Sequence, residues 1–187
     1  MRSHSDPLTG EIDHRLEPEI VAVWAHDGHP ADLVRELKYG RATTVVTELA
    51  EAMADAAPTA DVVAWIPASP QRRRQRGFDQ GELLARAIAR RVGLPARRLL
   101  RRVDDLPQTA RELEGRLLGP EFTAVGRRLR FGPRLLLVDD VATTGSTLRA
   151  GASVLCAAGA AEVVGLVATR AVGAPAREST GTRSTTR

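Results

Sequence analysis

Residues 134–147 read RLLLVDDVATTGST. Four apolar residues, Leu135 to Val138, run straight into two carboxylates, Asp139 and Asp140. Small hydroxyl residues then surround one glycine: Thr143, Thr144, Gly145, Ser146 and Thr147. An apolar run ending in polar residues predicts a buried parallel strand over 134–138 whose C-terminal tip opens a site. A helix is predicted over 147–158, with Leu148, Ala152, Leu155 and Cys156 on one face and Gly159 at its end. Such a strand–loop–helix unit suits a phosphate. Small residues let backbone N–H groups turn inward, the helix N-terminus adds partial positive charge, and hydroxyls donate further bonds. The adjacent carboxylates suit sugar hydroxyls or Mg²⁺, which takes oxygen ligands.

Working outward, Ile20 to Trp24 reads as a strand and His29-Pro30 as the start of a helix. Leu33, Val34 and Leu37 share a face of that helix, and Gly40 ends it. A second helical pattern occupies 44–57. Asp61 to Ile66 reads as a second buried strand, followed by Pro67 and a loop holding Arg72, Arg73, Arg74 and Arg76. The next helix is well marked: Asp79 caps it, Glu82 completes a capping box, and Phe78 and Leu83 sit at hydrophobic-staple positions. Leu83, Leu84, Ala87 and Ile88 are expected to face the core, with Gly93 closing the end. Residues 97–103 read as a strand, 108–118 as a charged helix, and Glu162–Ala168 as a last strand. Strands alternating with helices predict an α/β fold, a parallel sheet covered on both faces. Ligands in such sheets sit at the carboxyl ends of strands. Asp139, the 143–147 loop and the loop after Ile66 should therefore share one rim. Residues 1–18 read as an extended lead-in, 19–171 as one domain, and 172–187 as a disordered tail without apolar anchors.

Composition narrows the function classes. A chain of 187 residues with 43% hydrophobic content has material for one real core. No apolar stretch approaches the roughly 20 residues that span a bilayer, and the polar start lacks a secretory signal, so a cytoplasmic location is expected. Cys156 is the one cysteine, which excludes an internal disulfide and a cysteine-based zinc site. Its place on an apolar helix face favours packing over nucleophilic chemistry. His26 and His29 lack a third ligand, so no metal site is assigned to them. The net charge is +4, and Lys38 is the one lysine. Arginine is the better fork for phosphate. The 143–147 loop is not a Walker A, because it lacks the G-K-[ST] ending. Nor does the acidic pair fit a receiver domain, where it stands near the N-terminus with a lysine downstream.

The 134–147 string resembles the 5-phosphoribosyl-1-pyrophosphate (PRPP) motif of the type I phosphoribosyltransferases. The segment RGFDQGELLA, residues 76–85, resembles the R-G-F-N-Q-A-E-L-L-A segment of the ComF family, phosphoribosyltransferase-like proteins linked to DNA uptake. Leu37-Lys38-Tyr39-Gly40, Ile66-Pro67, Gln108 and Arg116 fall in the expected order, so the resemblance spans about residues 20–170. Asp79 stands where that family has Asn, and the four-cysteine zinc module common in the family has no counterpart in this sequence. The resemblance implies a type I phosphoribosyltransferase-like parallel sheet flanked by helices, with a small N-terminal hood region. It also implies Mg²⁺-dependent transfer of 5-phosphoribosyl to an unknown acceptor, a nucleobase being the common class, with release of pyrophosphate. Asp139 and Asp140 would face the ribose hydroxyls, directly or through Mg²⁺, and residues 143–147 the 5′-phosphate. Arg72, Arg73, Arg74, Arg76 and Lys38 are the pyrophosphate candidates. Two alternatives stay open. One is a non-catalytic adaptor in competence that binds single-stranded DNA or partner proteins. The other is a nucleotide-sensing regulator.

Overall fold

The computed structural model describes residues 18–39, 43–103, 122–126 and 128–171. In chain order the elements are β1 (Ile20–Ala25), α1 (Gly28–Tyr39), α2 (Thr43–Asp55), β2 (Val62–Trp65), α3 (Pro70–Arg76) and α4 (Gln80–Val92). Then follow β3 (Leu100–Arg102), β4 (Phe122–Ala124), β5 (Arg134–Ala142), α5 (Ser146–Ala157) and β6 (Glu162–Arg170). β1, β6, β5 and β2 form a parallel sheet in that order, while β3 and β4 pair antiparallel in a small second sheet. A bridge from Val63 to Ala96 continues the main sheet outward past β2. The chain therefore leaves β2 in one direction and β5 in the other. The crevice between their carboxyl ends is a topological switch point, where such sheets bind ligands.

Side chains alternate across the sheet, as a strand buried on both faces requires. Val63, Trp65, Leu136, Val138 and Leu166 join α1, α2 and α4 in one core. Ala64, Ile66, Leu135, Leu137 and Val167 join α5, β3 and β4 in the other. The two faces are thus covered by different elements, which leaves the strand ends as the open part of the sheet among the described residues.

Four expectations need correction. β5 does not stop at Val138 but runs on to Ala142, because β6 supplies pairing partners for Asp139, Val141 and Ala142. The arginine segment after Pro67 is the short helix α3, not a loop. Ser69 caps it by accepting from the Arg72 N–H at 3.3 Å, Pro70 opens it, and Gly77 closes it at φ +80°. The strand near 97–103 shrinks to β3 and belongs to the antiparallel pair. Leu83 is 39% exposed, and the buried apolar face of α4 is formed by Leu84, Ala85, Ala87 and Ile88 instead. The 108–118 helix, Gly40, residues 1–17 with any hood they contribute, and the 172–187 tail lie outside the described residues. Among the described residues no helix is long and apolar enough to cross a membrane.

Asp79 joins the switch point to α4. One carboxylate oxygen accepts from the Ala68 N–H at 2.9 Å, the other from Glu82 N–H at 3.3 Å. Burial raises its pKa above the ordinary value even though both backbone bonds pull it down. Asp79→Ala is expected to lower stability by about 1–2 kcal/mol. The measurement is a urea midpoint, which should fall at unchanged m; an unmoved midpoint would mean that the cap holds nothing.

Candidate functional site

The crevice holds a cavity of about 540 Å³ with contributions from seven parts of the chain. Lys38 comes from α1, Ile66, Pro67 and Ala68 from the end of β2, Arg72 and Arg76 from α3, and Gln80 from the start of α4. Arg102 of β3, Asp139, Asp140 and Val141 of β5, and Thr143 and Thr147 from the hydroxyl loop complete the wall. Four cationic side chains thus face two acidic ones.

The carboxylates stand on rigid, paired backbone. Asp140 is 6% exposed, and Lys38 Nζ lies 3.4 Å from its Oδ2. That Oδ2 is buried and makes no hydrogen bond. An Asp139 oxygen accepts from the Asp140 N–H at 2.9 Å. Burial pushes the Asp139 carboxyl well above the usual carboxylate range, and the negative charge and hydrogen bond of Asp140 push it the same way. The backbone bond and Lys38 oppose the shift without cancelling it. Asp139 therefore holds its proton more tightly than an ordinary carboxyl does.

The hydroxyl loop is held by its own bonds. Thr144 Oγ1 donates to Ser146 Oγ at 3.0 Å, and Arg149 Nη2 donates to the Thr144 carbonyl at 2.7 Å. Gly145 sits at φ +75°, and a Cβ there would stand 2.7 Å from Ile20 Cδ1. No other residue fits both conditions without strain. As N-cap of α5, Gly145 contributes no side-chain hydrogen bond to the first turn.

Of the residues singled out in the sequence, Asp139, Asp140, Lys38, Arg72, Arg76, Thr143 and Thr147 line one cavity. Arg73 and Arg74 do not, because α3 is helical: Arg72 and Arg76 are one turn apart, and the residues between them face elsewhere. Thr144, Gly145 and Ser146 shape the loop without lining the cavity. Arg102 and Gln80 were missed. Strand alternation could have found Arg102, since Leu100 points to the core, Arg101 outward and Arg102 inward again. Gln80 stood in the RGFDQGELLA string at the first position of a capped helix, next to the rim. Arg102 donates to the Pro67 carbonyl at 3.3 Å, and its guanidinium lies 5.4 Å from the centre of the Phe122 ring.

The remaining histidines and the cysteine have other roles. His26 Nδ1 is 2.7 Å from Thr169 Oγ1, and His29 faces Glu48. Among the described residues no three His, Cys, Asp or Glu side chains gather as a metal cluster. Cys156 packs half-buried against the α5 core, and burial raises its thiol pKa, which disfavours the thiolate.

No family model matches the chain. Competence protein ComFC of Bacillus subtilis (strain 168) is 33% identical over 103 residues, 55% of this chain and 41% of that protein. The match thus spans less than half of the relative's length. Among solved structures, an allosteric regulatory enzyme of purine biosynthesis matches with a TM-score of 0.50 at 25% identity, over 72% of this chain and 30% of that one. Glutamine phosphoribosylpyrophosphate amidotransferase from B. subtilis matches with a TM-score of 0.50 at 24% identity, over the same shares. The chain has the fold of the type I phosphoribosyltransferases, and it is similar to ComFC over about half of its own length.

Proposed function

We propose that the cavity binds PRPP with Mg²⁺ and transfers the phosphoribosyl group to a nucleophile, releasing pyrophosphate. The observation that carries this reading is one cavity with two adjacent carboxylates on one wall, Asp140 buried and Asp139 half-buried, cationic side chains around them and a hydroxyl loop at its rim. Each feature matches a part of PRPP. Thr143, Thr147 and the N-terminus of α5 suit the 5′-phosphate. Arg72 and Arg76, with Arg102 and Lys38, suit the pyrophosphate, which Arg grips bidentately. Asp139 and Asp140 suit the ribose hydroxyls or the metal. The fold neighbour whose name includes phosphoribosylpyrophosphate supports the same reading.

The donor set fits Mg²⁺. This ion takes oxygen ligands, keeps several waters, and needs one or two carboxylates plus substrate phosphates. Asp140 Oδ2, buried without a hydrogen bond, is such an oxygen. When bound, Mg²⁺ would supply positive charge to the departing pyrophosphate. The chain's own residues do the rest. As the bond from C1′ to the pyrophosphate oxygen breaks and the bond to the nucleophile forms, positive charge gathers on the ribose ring. The carboxylates provide a negative field for it, and the arginines hold the leaving group. A base nitrogen is the acceptor class this chemistry favours. The likeness to a competence protein supports a second reading, an adaptor in DNA uptake, for which exposed Arg74, outside the cavity, is the natural contact residue.

Calorimetric titration of PRPP into the protein should show saturable binding that requires Mg²⁺. The Asp139→Asn/Asp140→Asn double variant should weaken it by roughly 10–100-fold. Arg72→Ala with Arg76→Ala should weaken it too, and Arg74→Ala should not. A folded wild type that binds no PRPP would sink the reading and direct the search to single-stranded DNA.

A pH dependence follows from the raised pKa of Asp139. The folded state binds this proton more tightly than the unfolded chain, whose carboxyl titrates near 3.8. Stability from this group is therefore fully present below that value and is lost as pH rises through the folded pKa. Asp139→Asn, which has no proton to lose, should gain stability over wild type between acid and neutral pH. Melting curves across that range check the sign, and a constant offset would refute it. Metal binding must displace the same proton, so Mg²⁺-dependent affinity should rise with pH over the same window.

A further inference from the structure

Two buried oxygens in the cavity have no hydrogen-bond partner: Asp140 Oδ2 and Gln80 Oε1. Gln80 is 5% exposed and Asp140 6%. Gln80 is the first residue of α4, and its neighbours fix it in place. Asp79 ties the helix start to the Ala68 N–H, and a Cβ on Gly81 would stand 2.7 Å from the Ile66 carbonyl. The side chain is held on the cavity wall with an unmet acceptor, which is costly to bury.

A ligand that satisfies it must bring donors or positive charge. The phosphates of PRPP present acceptors to the protein, and they match the arginines and Lys38. A hydrated Mg²⁺ offers the complement: its waters donate, and its waters are retained on binding. We propose that Gln80 supplies the third protein oxygen of the metal site, accepting through its side-chain carbonyl from a water of the Mg²⁺ held by Asp139 and Asp140. Gln80 would thus help Asp139 and Asp140 hold the ion in the cavity that Arg72 and Arg76 also line, where it would supply positive charge to a pyrophosphate. This inference rests on the reading of the cavity as a Mg²⁺–PRPP site and assigns one of its residues. Gln80 is a positioning residue, acting on the metal through water. An amide turned the other way would present its NH₂ and serve a phosphate instead, and a carboxylate at this position separates the two roles.

The experiment uses Mn²⁺ as the probe, with the full chain and PRPP, read by electron paramagnetic resonance and water-proton relaxation. Calorimetry of PRPP binding and melting curves run beside it. Wild type should bind Mn²⁺ in the presence of PRPP. Gln80→Leu should weaken that binding by roughly 10–100-fold, and Gln80→Glu should keep or tighten it, since a carboxylate also accepts. Unchanged Mn²⁺ binding in Gln80→Leu overturns the proposal while leaving the PRPP site intact. So does a Gln80→Glu variant that loses the ligand, because that marks a phosphate donor. The near-isosteric Glu variant decides the matter even where the Leu variant fails to fold. A wild type that binds no PRPP overturns the underlying reading itself.

Discussion

Pro67 has no backbone N–H, so the ladder joining β2 to β5 ends with Trp65 opposite Val138 and one last bond from Ile66 N–H to the Val138 carbonyl. Beyond that point β5 continues with β6, and its other flank is open. Asp139 and Asp140 therefore stand on a strand that is paired and rigid on one side and faces a crevice on the other. A continuous ladder would have placed a neighbouring strand where the ligand is proposed to lie. The opposite departures of the chain from β2 and β5 keep the gap clear, and the two bonds of Asp79 hold its far edge. Every cavity residue takes its position relative to this break.

The break also sets the electrostatics. Two adjacent carboxyl groups this deep repel each other and lose hydration, which is why Asp139 holds its proton far above the usual range. Lys38 reduces the cost for Asp140 at 3.4 Å without removing it. A ligand that brings positive charge to the pair, as the proposed metal ion would, relieves the repulsion that the fold imposes. The surrounding arginines add a field that suits a polyanion arriving with its cation. Carboxylates alone would repel that ligand, and arginines alone would have no hold on its ribose.

Much of this was legible in the residues, for identifiable reasons. Apolar runs such as Leu135–Val138 carry both strand and burial in one short pattern, and capping residues such as Asp79 and Gly93 mark a helix end locally. Part of what failed depended on partners elsewhere in the chain. β5 runs through its carboxylates because β6, more than twenty residues later, offers a ladder that no local pattern announces. The arginine segment became helix because Ser69, Pro70 and Gly77 outweigh repulsion among neighbouring guanidiniums. Leu83 is exposed because α4 packs through the neighbouring stripe of Leu84 and Ile88. Arg102 reaches the cavity from a three-residue strand whose mate lies across a long connection, too short a pattern to read as pairing.

The arginines of α3 bear on which of the competing functions the fold favours. A nucleic-acid backbone is tracked by an exposed row of cations, whereas a compact diphosphate is gripped by cations that converge. Arg72 and Arg76 converge on the cavity, one turn apart, opposite the carboxylate wall, while Arg74 faces solvent. α3 buries none of its residues and is capped by Ser69 and Gly77 at its two ends. Arg102 is different, since the Pro67 carbonyl and the Phe122 ring hold its guanidinium before any ligand arrives. A preset cation needs no reorganisation when charge develops on a leaving group, and that is the condition under which it contributes most. In the proposed reaction Arg102 would therefore meet the leaving group already in place, and Arg72 and Arg76 would complete the grip from α3.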